Sequence, residues 1–243
     1  TIPYLGHDRE ANPFLGWRSI RLSFEHPEFF ATQIRAILRA AAGPKKSVRL
    51  MFPMITTLEE IRKVRSMVEK AKRELAKQRK PCGHVPIGLM VEVPAAAVMI
   101  DSLLEVVDFV SIGSNDLVQY LMAADRDNPR VSHLCQPLAP AVLRVLNSLI
   151  GACNRAGKPV TLCGEMAGRP RAVVLLFGMG LRSFSMSPAF VPTIKELLSH
   201  LTKAKAERIL NQALRLRTSA QVIRYMEQQV AELAPNVKLL DTA

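Results

Sequence analysis

Five short apolar runs, each followed by a segment of helical period, dominate this sequence and leave few folds open to it. The runs are 48–54, 86–94, 106–112, 160–168 and 183–186, bounded by glycine, proline and polar residues as strands are. Run 86–94, Pro-Ile-Gly-Leu-Met-Val-Glu-Val-Pro, is almost continuously apolar, which fits a strand covered on both faces. Strand and helix in alternation argue for parallel βα units joined by right-handed crossovers. Five units do not close an eight-stranded barrel, and a doubly wound sheet is the competing architecture. Polar residues recurring at successive strand ends favour one shared rim.

The intervening segments carry their own signals. Pro27 opens a helix over 27–42, with Phe29, Phe30, Ile34, Ile37 and Leu38 as its apolar side and Gly43-Pro44 as its stop. Thr57-Leu-Glu-Glu60 has capping-box spacing, and Leu58, Ile61, Val64, Val68, Ala71 and Leu75 recur at helical period through a segment predicted to reach Lys80. Helices are also predicted over 95–104, from Ser114, over 140–156 and over 170–179; three more, 191–201, 203–216 and 220–233, close the chain. Residues 1–26 read as a polar loop, in which Trp17 with its neighbouring proline and glycine fixes where Arg18 points.

Charge and cysteine usage narrow the function. The net charge is +12, from 33 basic and 21 acidic residues. Much of the excess lies on the faces of 62–80 and 195–217, where solvated lysine and arginine are the ordinary explanation. No aromatic-interleaved basic stripe marks a nucleic-acid surface. No apolar run reaches the roughly 18 residues of a membrane span, so no membrane insertion is expected. Cys82, Cys135, Cys153 and Cys163 form no C-x-x-C pair and no metal spacing with the five histidines, which fits a reduced, cytoplasmic protein. Thr1-Ile-Pro-Tyr has neither an initiating Met nor signal-peptide features and reads as the edge of a longer protein.

The stretch 109–126 is where the chemistry is expected. Gly113 lets the backbone approach a ligand, and Ser114-Asn115-Asp116 supplies helix-capping side chains and one carboxylate. Glu92 closes its own strand and is costly if buried alone. With Cys163 these residues occupy strand ends, while Arg18 and Arg126 lie on loops. Two carboxylates on neighbouring strand ends are poor company without a divalent cation between them, and hard oxygen ligands suit Mg²⁺. Two guanidiniums offer bidentate donors to phosphate or carboxylate. The helix start at Asn115 adds backbone N–H groups for an anion. The chemistry indicated is that of a metal-bound, phosphorylated carboxylic acid with a thiol nearby.

These residues sit in recognisable motifs: Asn12-Pro-Phe-Leu-Gly-Trp-Arg18, Met51-Phe-Pro-Met54, Gly88-Leu-Met-Val-Glu-Val-Pro-Ala95, Ser111-Ile-Gly-Ser-Asn-Asp-Leu117, Asp125-Arg126, Ser132-His133, Leu162-Cys-Gly-Glu-Met-Ala-Gly168 and Phe184-Ser-Met-Ser187. In this order and spacing the chain resembles enzyme I, the phosphoenolpyruvate-protein phosphotransferase family of the bacterial sugar phosphotransferase system. The resemblance implies an α/β fold, the phosphoenolpyruvate-binding (β/α)₈ TIM-type barrel. About five of its eight units, plus C-terminal helices, make residues 1–243 one partial domain. It implies Glu92 and Asp116 as Mg²⁺ ligands, and Arg18, Asn115, Asp116 and Arg126 at the substrate. It gives Cys163 as the donor that protonates the enolate carbon as pyruvate forms.

It also implies partners: a histidine-containing phosphocarrier protein, reached through an N-terminal phospho-histidine domain, and a second copy in a full-length homodimer. None of the five histidines lies in a motif matching the phosphoryl acceptor. The first barrel strands, a Gly-Gly-Asp-Lys-type motif and two further substrate arginines have no counterpart, so the chain alone is expected to be inactive. Ser114 stands where the family more often has threonine, which preserves the hydroxyl. A competing enzyme reading is the C-terminal domain of a phosphoenolpyruvate synthase or pyruvate phosphate dikinase. The non-enzyme reading is a basic interaction module.

Overall fold

The computed structural model describes residues 10–43 and 47–235. Pro44 of the expected helix stop and the N-terminal tetrapeptide lie outside them. Five strands, β1 (Leu50–Phe52), β2 (Ile87–Val91), β3 (Phe109–Gly113), β4 (Val160–Cys163) and β5 (Ser183–Phe184), form one sheet in the order β1-β2-β3-β4-β5. Every pairing is parallel. A doubly wound sheet needs a reversal in strand order. Here there is none, and right-handed crossovers between successive neighbours place all connecting helices on the same side. The architecture is therefore that of a barrel segment.

The two faces of the sheet differ as this arrangement requires. Leu50, Phe52, Ile87, Leu89, Val91, Val110, Ile112, Val160 and Leu162 are buried and share one core with the helices. The opposite face carries Met90, Ser111, Thr161 and Ser183, aligned by register across four strands. Met90 and Thr161 on that face are only half-buried and Ser183 is exposed. Run 86–94 is thus apolar up to Glu92 although one of its faces is not fully covered.

The helices follow their apolar stripes. α2 (Pro27–Ala40) buries Phe30, Ile34 and Leu38, whereas Phe29 points away and is exposed. α3 (Leu58–Lys77) starts at the predicted capping box: Thr57 Oγ1 accepts from Glu60 N at 3.3 Å, and Glu60 Oε2 accepts from Thr57 N at 3.1 Å. Its Ile61, Val64, Val68 and Leu75 are essentially inaccessible. At about 1.5–3 kcal/mol for each such side chain buried, they outweigh surface pairs such as Lys72–Glu69, which contribute about 0.3–0.5 kcal/mol. A short helix, α1 (Ile20–Glu25), replaces the end of the predicted loop. The segment predicted over 95–104 breaks at Met99 into α4 (Pro94–Val98) and α5 (Ile100–Leu104).

α6 (Ser114–Met122), α7 (Pro140–Arg155) and α8 (Pro170–Gly178) return the chain from β3, from the following loop and from β4. After β5, α9 (Val191–Ser199), α10 (Lys203–Ala213) and α11 (Ser219–Leu233) complete the described chain, with α10 and α11 both packing on α8. Among the described residues no helix is long and apolar enough to cross a membrane.

Candidate active site

Parallel strands of matched register end together. Val91 pairs with Ile112 and Gly113 with Cys163, so Glu92, the start of α6 and Cys163 meet at one rim. Glu92 is 5 % exposed and Asp116 8 %, a burial that carboxylates tolerate only with partners. Asp116 has two: Arg18 Nη2 at 3.3 Å on Oδ2 and Arg126 Nη1 at 2.8 Å on Oδ1.

Both arginines are brought there by their loops. Before α1, Trp17 N donates to Glu10 Oε1 at 2.8 Å, and Arg21 Nη1 donates to the carbonyls of Leu15 and Gly16 at 2.7 and 2.9 Å. This hydrogen-bonded turn precedes Arg18 and presents it to Asp116. After α6, Ala123 adopts a left-handed φ of 50° as the C-cap, and Arg126 N donates to Gln119 Oε1 at 3.1 Å. The chain thereby folds back, so that Arg126 meets Asp116 ten residues upstream. Phe14 lies beneath both guanidiniums, 5.6 Å from Arg18 and 5.1 Å from Arg126, and its carbonyl accepts a hydrogen bond from the Tyr120 hydroxyl.

Glu92 is held differently. Its Oε1 accepts from Met54 N at 2.7 Å, and Met54 takes a left-handed φ of 56° to present that N–H. Burial pushes the Glu92 carboxyl above the ordinary carboxylate range. The Met54 hydrogen bond opposes this, Asp116 pushes it further up, and Arg18 and Arg126 pull it down. Gly113 gives the carboxylate room, since a Cβ there would lie 2.9 Å from Glu92 Oε2 and from Met90 Sδ.

At the end of β4 the Cys163 sulfur sits 3.6 Å from Ser111 Oγ and 3.4 Å from the Ile112 carbonyl. Ser114 and Asn115 do not cap α6, contrary to expectation: Gly113 is the N-cap and no side-chain cap bond forms. Ser114 Oγ instead donates to the Cys163 carbonyl at 2.7 Å, and Asn115 Oδ1 accepts from Glu165 N at 3.2 Å. Both side chains tie the β3 end to the β4 end. Asn115, Arg126, Cys135, Glu165 and Arg169 are among the residues lining a cleft of about 90 Å³ between these two turns.

All six expected site residues thus lie along one rim, with Arg18, Asp116 and Arg126 in direct contact. Phe14, Met54, Ser111, Gln119 and Tyr120 are supports the sequence reading missed. Gln119 and Tyr120 fall three and four positions after Asp116 on the helix, a spacing that shares a face, and that was the available signal. Among the described residues no group of three or more histidine, cysteine, aspartate or glutamate side chains converges on a metal position. The Glu92–Asp116 pair nevertheless fits Mg²⁺, which is commonly held by one or two carboxylates together with water and substrate phosphate. A cation there would offset the burial, and the smaller repulsion from Asp116, that raise Glu92.

A one-sided parallel sheet whose strand ends gather buried carboxylates, arginines and a thiol has the make-up of the ligand-bearing rim of a barrel. The family described as "PEP-utilising enzyme, PEP-binding domain" matches residues 1–203, and the chain belongs to it. The phosphoenolpyruvate-protein phosphotransferase of Bacillus sp. (strain S) is 45% identical over 228 residues, covering 93% of this chain and 39% of the relative. That of Haemophilus influenzae is 43% identical over 236 residues, covering 97% and 41% respectively. This chain therefore spans about two fifths of the length of these relatives. Among solved structures, a citrate lyase from Burkholderia xenovorans aligns with a TM-score of 0.49 at 20% identity, covering 83% of this chain and 68% of that one.

Proposed function

We propose that residues 1–243 are part of the phosphoenolpyruvate-binding barrel domain of a phosphoenolpyruvate-protein phosphotransferase. Such a protein passes the phosphoryl group to a histidine on a separate N-terminal domain, thence to a phosphocarrier protein, and releases pyruvate. The observation that carries this reading is Asp116 held between Arg18 and Arg126 beside buried Glu92. A charge-dense, preformed cluster of that kind is what phosphoryl transfer demands, because its catalysis consists of alignment and charge neutralisation.

Glu92 and Asp116 would hold Mg²⁺, which when bound neutralises charge on the phosphate oxygens. Arg18 and Arg126, aimed by their loops and backed by Phe14, donate to the phosphate. Asn115 orders the turn that follows Cys163 and lines the cleft at the substrate. As the phosphorus–oxygen bond breaks, its electron pair stays on the enolate oxygen and the phosphoryl group goes to the histidine nitrogen. Cys163 then gives its sulfur-bound proton to the enolate carbon, which makes the methyl group of pyruvate. In the same reading the whole protein is cytoplasmic and works as a homodimer.

The test is calorimetric titration of phosphoenolpyruvate, with Mg²⁺ and with chelator, into this chain extended by the N-terminal region that the relatives carry. Binding that depends on Mg²⁺ and is lost in Glu92→Gln supports the proposal. Equal binding in chelator, or unchanged binding in Asp116→Asn, rejects it.

A further inference from the structure

Beside the cleft between the β3 and β4 turns lies a second and larger one, of about 610 Å³, bounded by the loop from Arg126 to Leu138, the start of α8 and Ile223 of α11. Arg126 and Arg169 line both clefts, but Glu92, Asn115, Asp116 and Cys163 do not line the outer, larger one. Its size is ordinary for a bound organic molecule. The walls are of two kinds: Arg126, Arg169, Arg171 and His133 supply hydrogen-bond donors, while Leu138 and Ile223 supply apolar surface. α8 adds the positive end of its dipole, with no acidic residue in its first turn and no side-chain cap.

The carboxylates paired with these arginines differ in how firmly they are held. The Asp116 side chain, 10 % exposed, keeps Arg126 at 2.8 Å from the inner side. Glu165 meets Arg169 at 3.1 Å and Glu227 meets Arg171 at 3.2 Å, but their side chains are 71 % and 46 % exposed. Solvent-facing pairs of that kind are weak, whereas a phosphate takes two parallel hydrogen bonds from a guanidinium. An anion entering the outer cleft therefore displaces Glu165 and Glu227 at little cost. One guanidinium fork saturates the two oxygens of a carboxylate; the three free oxygens of a phosphate ester can serve two arginines. We propose that the outer cleft is a second anion site, which binds the phosphate ester of a small organic molecule, its phosphate taken by Arg169 and Arg171 and its organic part laid on Leu138 and Ile223. The assignment does not depend on the reaction assigned to the inner cleft.

The test uses the N-terminally extended protein in chelator, which removes metal-dependent binding at the inner cleft. Isoleucine methyl NMR follows titration with phenyl phosphate, with inorganic phosphate and benzoate as comparisons, and Ile223→Val assigns the Ile223 signal. Phenyl phosphate is expected to shift that signal and to saturate it at or below about 1 mM. Inorganic phosphate lacks the apolar part and benzoate the third oxygen, so each is expected to bind about tenfold more weakly. Arg169→Ala, at the start of α8, and Arg171→Lys, which keeps the charge opposite Glu227, are each expected to weaken phenyl phosphate binding about tenfold, as loss of a hydrogen bond to a charged group implies. Melting followed by circular dichroism checks that both variants fold.

Absence of a saturable shift at Ile223 overturns the proposal, as does parent-like binding in both folded variants. A shift at Ile112, whose carbonyl faces the Cys163 thiol, without one at Ile223 places the anion in the inner cleft and overturns it too. Benzoate or inorganic phosphate binding as tightly as phenyl phosphate overturns the assignment to a phosphate ester.

Discussion

Gly164, directly after Cys163, allows the sharpest test of how the rim is assembled. Its φ of 97° and ψ of −179° fall in a region essentially closed to residues with a side chain, where each such residue costs about 1–3 kcal/mol. A Cβ there would also lie 2.5 Å from Ser114 Oγ and 2.7 Å from Asn115 Oδ1. Neither atom yields cheaply, because Ser114 holds the Cys163 carbonyl and Asn115 holds Glu165 N. Overpacking of this kind costs about 1–3 kcal/mol. Gly164→Ala should therefore destabilise the fold by about 2–6 kcal/mol, the sum of the two effects. Melting followed by circular dichroism should then fall by at least about 4 °C, at roughly 2–4 °C per kcal/mol for a chain of this size. Gly157 provides the control, since it has a φ of 64° and nothing within 4 Å of its added Cβ. Gly157→Ala should show the backbone penalty alone, about 1–2 kcal/mol. Equal losses in the two variants would refute the crowding of Ser114 and Asn115 against Gly164.

Other perturbations read other parts of the site. Because burial raises the folded-state pKa of Glu92 above the unfolded value of 4.5, the ionised carboxylate opposes folding at neutral pH. Glu92→Gln should then be more stable than the parent near neutrality, the difference closing as pH falls to and below the unfolded pKa, where both states bind the proton; urea unfolding at the two pH values reads this. Asp116→Asn, which strips the partner from two guanidiniums about one-third exposed, should cost about 1–3 kcal/mol by urea unfolding, less than loss of a fully buried pair. Burial pushes the Cys153 thiol up to about 11, whereas Cys82 is exposed; alkylation at about pH 8 should label Cys82 promptly and spare Cys153 until the chain unfolds.

What the sequence disclosed depended on how local each signal was. The α3 start was legible because Thr57 and Glu60 satisfy each other within four residues, and the stripe from Ile61 to Leu75 repeats without interruption. The five strands were legible as apolar runs, but are shorter by two to five residues than predicted, since pairing ends where register partners end. Ser114 and Asn115 misled for the opposite reason. As residue types they are capping residues, but the strand beside them offers Cys163 O and Glu165 N, and those tertiary partners prevail. Phe29 fell on the apolar side by type and on the exposed side by angle. α1 has six residues, too few for periodicity to register. The motifs placed Arg18, Glu92, Asp116, Arg126 and Cys163 at one rim. Ser111 and Phe14 were hidden because their roles exist only across strands and loops.

The strand order bears on how such a chain comes to be made. Each of β2 to β5 finds its hydrogen-bonding partner in the strand synthesised just before it. No pairing within the sheet waits for a later segment. The sheet can therefore lengthen one βα unit at a time on a ribosome that adds about 5–20 residues per second. Until the next strand arrives, the growing edge presents a bare row of N–H and C=O groups, a template for wrong partners. The order of emergence also sets when the chemistry assembles: Arg18 comes first, then Glu92, then Asp116 with Arg126. Cys163 arrives last, when β4 docks against Ser111.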